Sequence, residues 1–450
     1  MKRLLASALL LSFIMGAASC KKDTDPSAVD LSGAFYSHGE DGYFSMLDEG
    51  YPVAIRDQGP PGACGAYASA VTIERNIRYT LGNDFEVVPD DLIYDSVSMD
   101  KGEGVMLTSE HYATANSGPV DIEWATANGY NGYVLTAAPT FYGMPDDAVT
   151  REMIQSAIMT YGGVTADIQI STPRINGWHG GYYTLYDDGA RLNHVVNILG
   201  WDDNFPAELF GDSVTSNGAW LVQNSFGEDW GNGGYCWVSY ETHIKFFDTF
   251  QLSDEYSEVI SHAPGAESSL GPITNATVGS VYDHTGSIGG VGTYLGWYFG
   301  DDGHMMITTS ECSVTVEVRS ADFSEVLYSQ DATFPMGGYY VIEFDEPVEV
   351  DGEFAVVVTY HGDQVVPVEG ASEEDYLAGM EMTYVTSCEL GDSFIFYDNE
   401  WRDLADPATS EYILTAMAED GLLPYDLDSP EVQAAMSEPG TDPYINVLFV

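Results

Sequence analysis

Four residues stand where nucleophilic chemistry could be built: Gln58, Cys64, His194 and Asn224. Cys64 ends the run Gln58-Gly59-Pro60-Pro61-Gly62-Ala63-Cys64. A thiol of pKa about 8.5 is a poor nucleophile until its thiolate is stabilised, and a helix N-terminus with an imidazolium lowers that pKa to about 3.5–7.5. Downstream, Ala66, Ala70, Ile73, Ile77 and Leu81 recur at helical spacing, Glu74, Arg75 and Arg78 are expected outside, and Gly82-Asn83 reads as a stop. The Gly/Pro-rich loop forbids an earlier helix, which puts Cys64 in the first turn, where unpaired backbone N–H groups favour negative charge. On these residues alone Cys64 reads more readily as a small core residue than as a nucleophile. Its partners decide.

Of nine histidines, His194 opens a buried run, Asn193-His194-Val195-Val196-Asn197-Ile198-Leu199-Gly200-Trp201, bounded by glycine. A second strand, Ala219 to Gln223, ends in Asn224, and a third covers Cys236 to Tyr240. An asparagine carbonyl at that strand end could accept one imidazole N–H, fixing the ring's orientation and tautomer.

The order Cys, His, Asn, with the His 130 and the Asn 160 positions after the Cys, resembles the papain-like cysteine peptidases, and most closely the bacterial and archaeal branch with a C-terminal lectin-like domain. The resemblance implies an α+β fold: a papain-like peptidase over 45–250, with a helical left subdomain carrying Cys64 and a β-barrel-like right subdomain carrying His194 and Asn224, followed by an all-β antiparallel sandwich over 251–418. It implies Cys64 as nucleophile, His194 as general base then acid, Asn224 as its orienter and Gln58 as oxyanion donor. Phe226 and Trp230 stand where the family places aromatics that cover the His–Asn pair and wall the cleft. Ser117-Gly118-Pro119-Val120-Asp121 and the strand Val164 to Ile170 look like further landmarks. Three positions depart from the family pattern: Gly65 replaces the usual aromatic after the nucleophile, Pro61 replaces a half-cystine, and Asn193 stands where many relatives carry aspartate. The implied reaction is acyl transfer, on a protein or peptide substrate and with no cofactor.

Other chemistries find little support. No H-E-x-x-H, P-loop or G-x-S-x-G element occurs, and the cysteines lack zinc spacing, so no metal site is expected. Trp201-Asp202-Asp203-Asn204 offers oxygens to calcium but reads better as a solvated turn. Gly-Asp-Ser at 211–213 and 391–393 does not follow a buried strand near the N-terminus, as a hydrolase of that kind would require.

The N-terminal segment sets the compartment. Lys2 and Arg3, an apolar stretch from Leu4 to Ala18 and small residues before Cys20 read as an export signal, too short for a membrane span. Cleavage before Cys20 resembles lipoprotein processing, with Ala17 where leucine is usual. The expectation is a lipid anchor at Cys20 on the cell surface, the alternative being secretion, with a linker over 21–44. About thirty residues separate the signal from Tyr51, too few for a papain-type inhibitory prodomain. Cys312 and Cys388 could pair outside the cell, and Cys236 reads as a buried strand residue.

After residue 250 the period becomes two: Val314–Val318, Tyr339–Phe344 and, after a turn at Asp351-Gly352, Phe354–Tyr360. Regular strands with almost no helical periodicity give the sandwich. The resemblance implies carbohydrate contact, but a structural or docking role ranks slightly above it, because Trp297, Tyr298 and Trp401 read as core at least as readily as exposed. The tail, 419–450, is acidic, and Tyr444–Val450 could dock as an edge strand. Fourteen basic against seventy-one acidic residues give −57, a surface that repels nucleic acid and anionic headgroups and gains from screening by salt. Two rival functions stay open: a surface-binding protein that uses the β-domain with a weak or inactive peptidase fold, and a transpeptidase.

Overall fold

The computed structural model describes residues 38–39, 41–59, 64–87, 133–141, 143–144, 147–170, 175–189, 192–263, 268–270, 273–299, 305–368, 388–419, 428, 433 and 442–450. The signal segment with Cys20, Pro61, the 117–121 landmark and most of the acidic tail lie outside them. The chain forms two compact units, Met1–Gly59 with Gly143–Phe247, and Pro60–Tyr142 with Asp248–Val450.

The first unit is built on the strand His194–Asp202, buried at all nine positions. On one side it pairs with Val164–Ile168 and Tyr43–Ser45, and on the other with Ala219–Gln223. Ala219–Gln223 pairs antiparallel with Tyr235–Ser239, which pairs in parallel with Tyr182–Tyr186, itself antiparallel to Ile175–His179. Trp220, Phe205, Phe210 and Phe247 are fully buried in this unit. Helix Ala148–Tyr161 starts at Asp147, whose carboxylate accepts the Thr150 N–H at 3.1 Å. The acidic turn after the central strand is exposed at Asp203 and Asn204, as expected of a solvated turn, but not at Asp202. Asp202 is fully buried and accepts from His38 Nδ1 at 2.7 Å, while Asp203 accepts from the Tyr240 hydroxyl at 2.7 Å.

The second unit contains an antiparallel sandwich built around two long strands, Thr277–Leu295 and Gly338–Tyr360, paired along almost their whole length. In one layer the order is Val326–Phe334, Cys312–Ser320, the later half of 338–360, the earlier half of 277–295, Ser393–Tyr397 and Glu400–Asp403. In the other it is Gln251–Ser253, Val134–Phe141, the earlier half of 338–360, the later half of 277–295, Asn446–Phe449 and Glu258–Ile260. Asp351-Gly352 therefore does not turn the chain: residue 352 pairs with His284 inside one 23-residue strand. Strand 446–449 is interior, with a partner on each side, rather than an edge. A helix, Pro407–Glu419, also appears where no helical period was read.

Helix Cys64–Asn76 begins where the sequence predicts and continues as a π-helix, Ile77–Leu81, ending at Gly82 with φ 73°. Glu74 and Arg75 do not face outward. Both are buried, and Glu74 Oε1 accepts the Val87 N–H at 2.7 Å. Ala66, Ala70, Ile73 and Ile77 share a core with Phe250, Leu252, Tyr294, Trp297, Tyr339, Tyr444 and Leu448. None of the described cysteines is in a disulfide, so Cys312 and Cys388 are not linked. Cys236 is buried, as expected of a strand residue. No described helix is long and apolar enough to cross a membrane.

Candidate active site

His194 lies at the first position of the central strand and is 6% exposed. Asn224 follows the last residue of the neighbouring strand and is 5% exposed. Strand pairing sets Asn197 opposite Gln223, which brings the two side chains together at one sheet end. His194 Nε2 and Asn224 Oδ1 are 2.8 Å apart, and the same Oδ1 accepts the Ser225 N–H at 2.8 Å. A backbone N–H can only donate, so this amide atom is oxygen, and Nε2 must carry the imidazole proton. The tautomer is thereby fixed, with Nδ1 as the basic nitrogen.

Asn224 is held by the loop that follows it. Its N–H donates to the Gly234 carbonyl at 2.9 Å, and the Gly234 N–H donates to Trp230 at 2.8 Å. Gly231 and Gly234 both have positive φ, 60° and 91°, and a Cβ at Gly231 would lie 2.5 Å from the Tyr235 carbonyl oxygen. Only glycine fits so tight a return.

Gln58 is anchored beside Asn224. Its N–H donates to the Ser225 carbonyl at 2.8 Å, Gly227 N–H donates to Arg56 at 3.0 Å, and Asp57 bridges to Phe226. The Ser225 hydroxyl donates to Gln58 Oε1 at 2.5 Å with both side chains buried. That bond commits the amide oxygen and presents Nε2 as the donating end. Ser225 escaped the sequence reading; its one signal was its place directly after Asn224.

Phe226 stacks on His194, ring centroids 4.8 Å apart and planes 29° apart, and meets Trp230 edge-on at 5.6 Å. Tyr183 packs on the other side of Trp230 at 5.0 Å. Burial under these rings pulls the His194 pKa below its ordinary value, and the Asn224 bond opposes the shift.

Cys64, in the other unit, is the first residue of its helix, half-buried and outside any disulfide. The N–H groups of that first turn have no intrahelical acceptor and favour a thiolate. Burial places the Cys312 thiol at about 12 and raises those of Cys236 and Cys388 further, so these three are poor nucleophiles. No group of three metal-ligating side chains occurs among the described residues. Of the aromatics considered for sugar contact, Trp297 is core at 2% exposure, Trp401 stacks on Phe323 at 4.2 Å, and Tyr298 is 38% exposed.

Residues 44–255 match the papain family cysteine protease model, and 305–418 match the lectin like domain model. Mouse cathepsin J is 28% identical over 227 residues, covering 48% of this chain and 64% of its own length. Mouse cathepsin K is 28% identical over 201 residues, covering 42% and 56%. The chain thus spans less than two thirds of either relative. Among solved structures, the clostridial cysteine protease Cwp84 after propeptide cleavage superposes with a TM-score of 0.66 at 19% identity, over 90% of this chain and 98% of that one. The cysteine protease and lectin-like domains of Cwp84, a surface layer associated protein of Clostridium difficile, give 0.65 at 18% identity over 95% and 90%. At such identity the likeness is one of fold.

Proposed function

Because the chain carries a papain-family cysteine protease domain followed by a lectin-like domain, we propose that it is an exported cysteine endopeptidase working through Cys64, His194, Asn224 and Gln58. The observation that carries this reading is the bonded series His194, Asn224, Ser225, Gln58, which prepares a base of fixed tautomer and an oriented amide donor in one unit.

In this mechanism the Cys64 thiolate attacks the scissile carbonyl carbon, and the electron pair displaced onto oxygen is held by Gln58 Nε2–H and the Cys64 N–H. As the tetrahedral intermediate collapses the C–N bond breaks, the His194 imidazolium protonates the leaving amine, and a thioester remains on Cys64. Water then attacks the thioester, its proton passing to His194 Nδ1, and the acid departs as the thiolate reforms. Asn224 holds the ring while it cycles between charge states. Phe226 and Trp230 form a wall for substrate. Gly65 follows the nucleophile where family members usually carry an aromatic, a difference that either slows the nucleophile or reshapes the cleft.

The test is hydrolysis of a quenched peptide library together with labelling by an epoxysuccinyl peptide. Wild-type protein should cleave peptides and be labelled at Cys64, while Cys64→Ala and His194→Ala abolish cleavage; full cleavage by Cys64→Ala would sink the proposal. Product analysis with an added amine separates hydrolysis from transpeptidation.

For location we propose a cell-surface enzyme anchored by lipid at Cys20, in keeping with the surface association stated for Cwp84. Palmitate incorporation lost in Cys20→Ala supports the anchor, and incorporation that persists rejects it. The lectin-like domain is assigned docking or carbohydrate contact. Absence of any signal for the full chain on a glycan array would remove the sugar role.

A further inference from the structure

Helix 64–76 is fixed at its far end by a polar bond to the β-sandwich. Asn76 is fully buried at the last α-helical position, before the π turn at 77–81. Its Oδ1 accepts the Leu252 N–H at 2.9 Å. Leu252 sits where the register between strands 251–253 and 134–141 shifts. Such an irregularity leaves a ladder N–H without its strand acceptor, and Asn76 takes that place. Gln251 Nε2 donates to the Leu252 carbonyl at 2.9 Å, completing the local set. Strand 134–141 in turn pairs with residues 338–340 of the sandwich, whose Tyr339 packs in the same core as Ala66, Ala70 and Ile73 of the helix.

The geometry turns this contact into a lever. Twelve residues of α-helix separate Asn76 from Cys64, about 18 Å at 1.5 Å per residue. A tilt of about 3° at the Asn76 end therefore moves Cys64 by about 1 Å, and a displacement of that size costs on the order of a hundredfold in rate.

We propose that Asn76 is a positioning residue for Cys64, and that the β-sandwich is the mount on which the nucleophile helix is aimed. The proposal rests on Cys64 being the nucleophile. It makes the C-terminal domain part of the catalytic apparatus, whatever else that domain binds.

The test uses the full-length chain with Asn76→Leu, which keeps the shape and removes the acceptor, and Asn76→Asp, which keeps an acceptor. Folding is checked by near-ultraviolet circular dichroism, and two readouts follow. One is the rate of Cys64 alkylation by iodoacetamide against pH, which needs no peptide hydrolysis; the other is kcat and KM on a cleaved peptide. Asn76→Leu should lower kcat by about ten- to a hundredfold with KM little changed, and should move the midpoint of the alkylation profile. Asn76→Asp should restore most of both. A folded Asn76→Leu protein with wild-type kcat and alkylation profile overturns the proposal.

Should Asn76→Leu not fold, hydrogen exchange on the wild-type chain decides. Amides of 64–76, 338–343 and 446–449 should open together with one free energy. A helix that opens while the sheet stays closed overturns the proposal. A protein that alkylates at Cys64 but cleaves nothing would end the peptidase reading and leave this test intact.

Discussion

The Phe226 ring lies 4.8 Å from that of His194, nearly parallel, and covers the imidazole beside its bond to Asn224. Two opposed influences meet there. Burial disfavours the imidazolium, while Asn224 Oδ1 favours it, and burial is the larger. In the absence of the thiolate, His194 is therefore a base held mostly neutral near pH 7.

That balance is measurable by proton NMR in Cys64→Ala protein. The His194 pKa should fall below about 6.5, the ordinary histidine value, and Phe226→Ala should raise it by admitting water. The sign for stability follows. A depressed folded pKa means that the unfolded chain binds more protons between the two values, so this contribution is fully present above about 6.5 and is lost as pH falls through the folded pKa. Denaturation at pH 7.5 and pH 5 should show a drop that is smaller in His194→Gln. An equal drop in both would remove His194 from the account.

Removing Asn224 should cost both rate and stability. Asn224→Ala orphans the His194 Nε2–H and the Ser225 N–H, each buried, at about 1–3 kcal/mol per group. Urea denaturation should show a loss of that order, accompanied by reduced kcat. Gln58→Ala should lower kcat by about 10²–10³, and it orphans one buried donor, the Ser225 hydroxyl, where Asn224→Ala orphans two, so its loss of stability should be the smaller.

Thiol chemistry should single out Cys64 among the four described cysteines. Cys64 should alkylate at pH 7 while Cys236, Cys312 and Cys388 stay protected, since burial holds their thiols protonated. Peptide mapping without reductant would reveal a Cys312–Cys388 link if one formed; none is expected.

Salt should stabilise the chain. With a formal charge of −57, self-repulsion is large, and the Debye length falls to about 3 Å at 1 M salt. The melting temperature should rise between 0.1 and 1 M sodium chloride, about the range over which that length shrinks threefold. A flat response would count against charge repulsion as a significant load.

How much of this was legible in the sequence depended on whether the deciding interaction was local. The strand of His194, the strand end at Asn224 and the helix start at Cys64 come from runs of apolar residues and turn formers, and the structure places them accordingly. Helical periodicity says which residues share a face and nothing about a distant acceptor demand such as that of the Val87 N–H, which Glu74 meets from inside the core. Asp202 looked like a turn residue for the same reason: its partner, His38, lies 164 positions away. Gly352 carries a turn signal that pairing with His284 overrides. Strand 446–449 looked peripheral because two strands distant in sequence, 258–260 and 277–295, flank it. Ser225 is a buried hydroxyl whose use is visible only once Gln58 is in place.

The position of strand 446–449 bears on how the molecule is made. It fills an interior slot in the layer that also holds strand 134–141, so that layer joins segments roughly three hundred residues apart and cannot close until the later one has been synthesised. Topologies dominated by such distant pairings fold slowly. Leu448 and Tyr444 line the core that receives helix 64–76, so during translation the helix bearing Cys64 lacks part of its seat. Full seating of that helix therefore waits on the synthesis of residues 444–449.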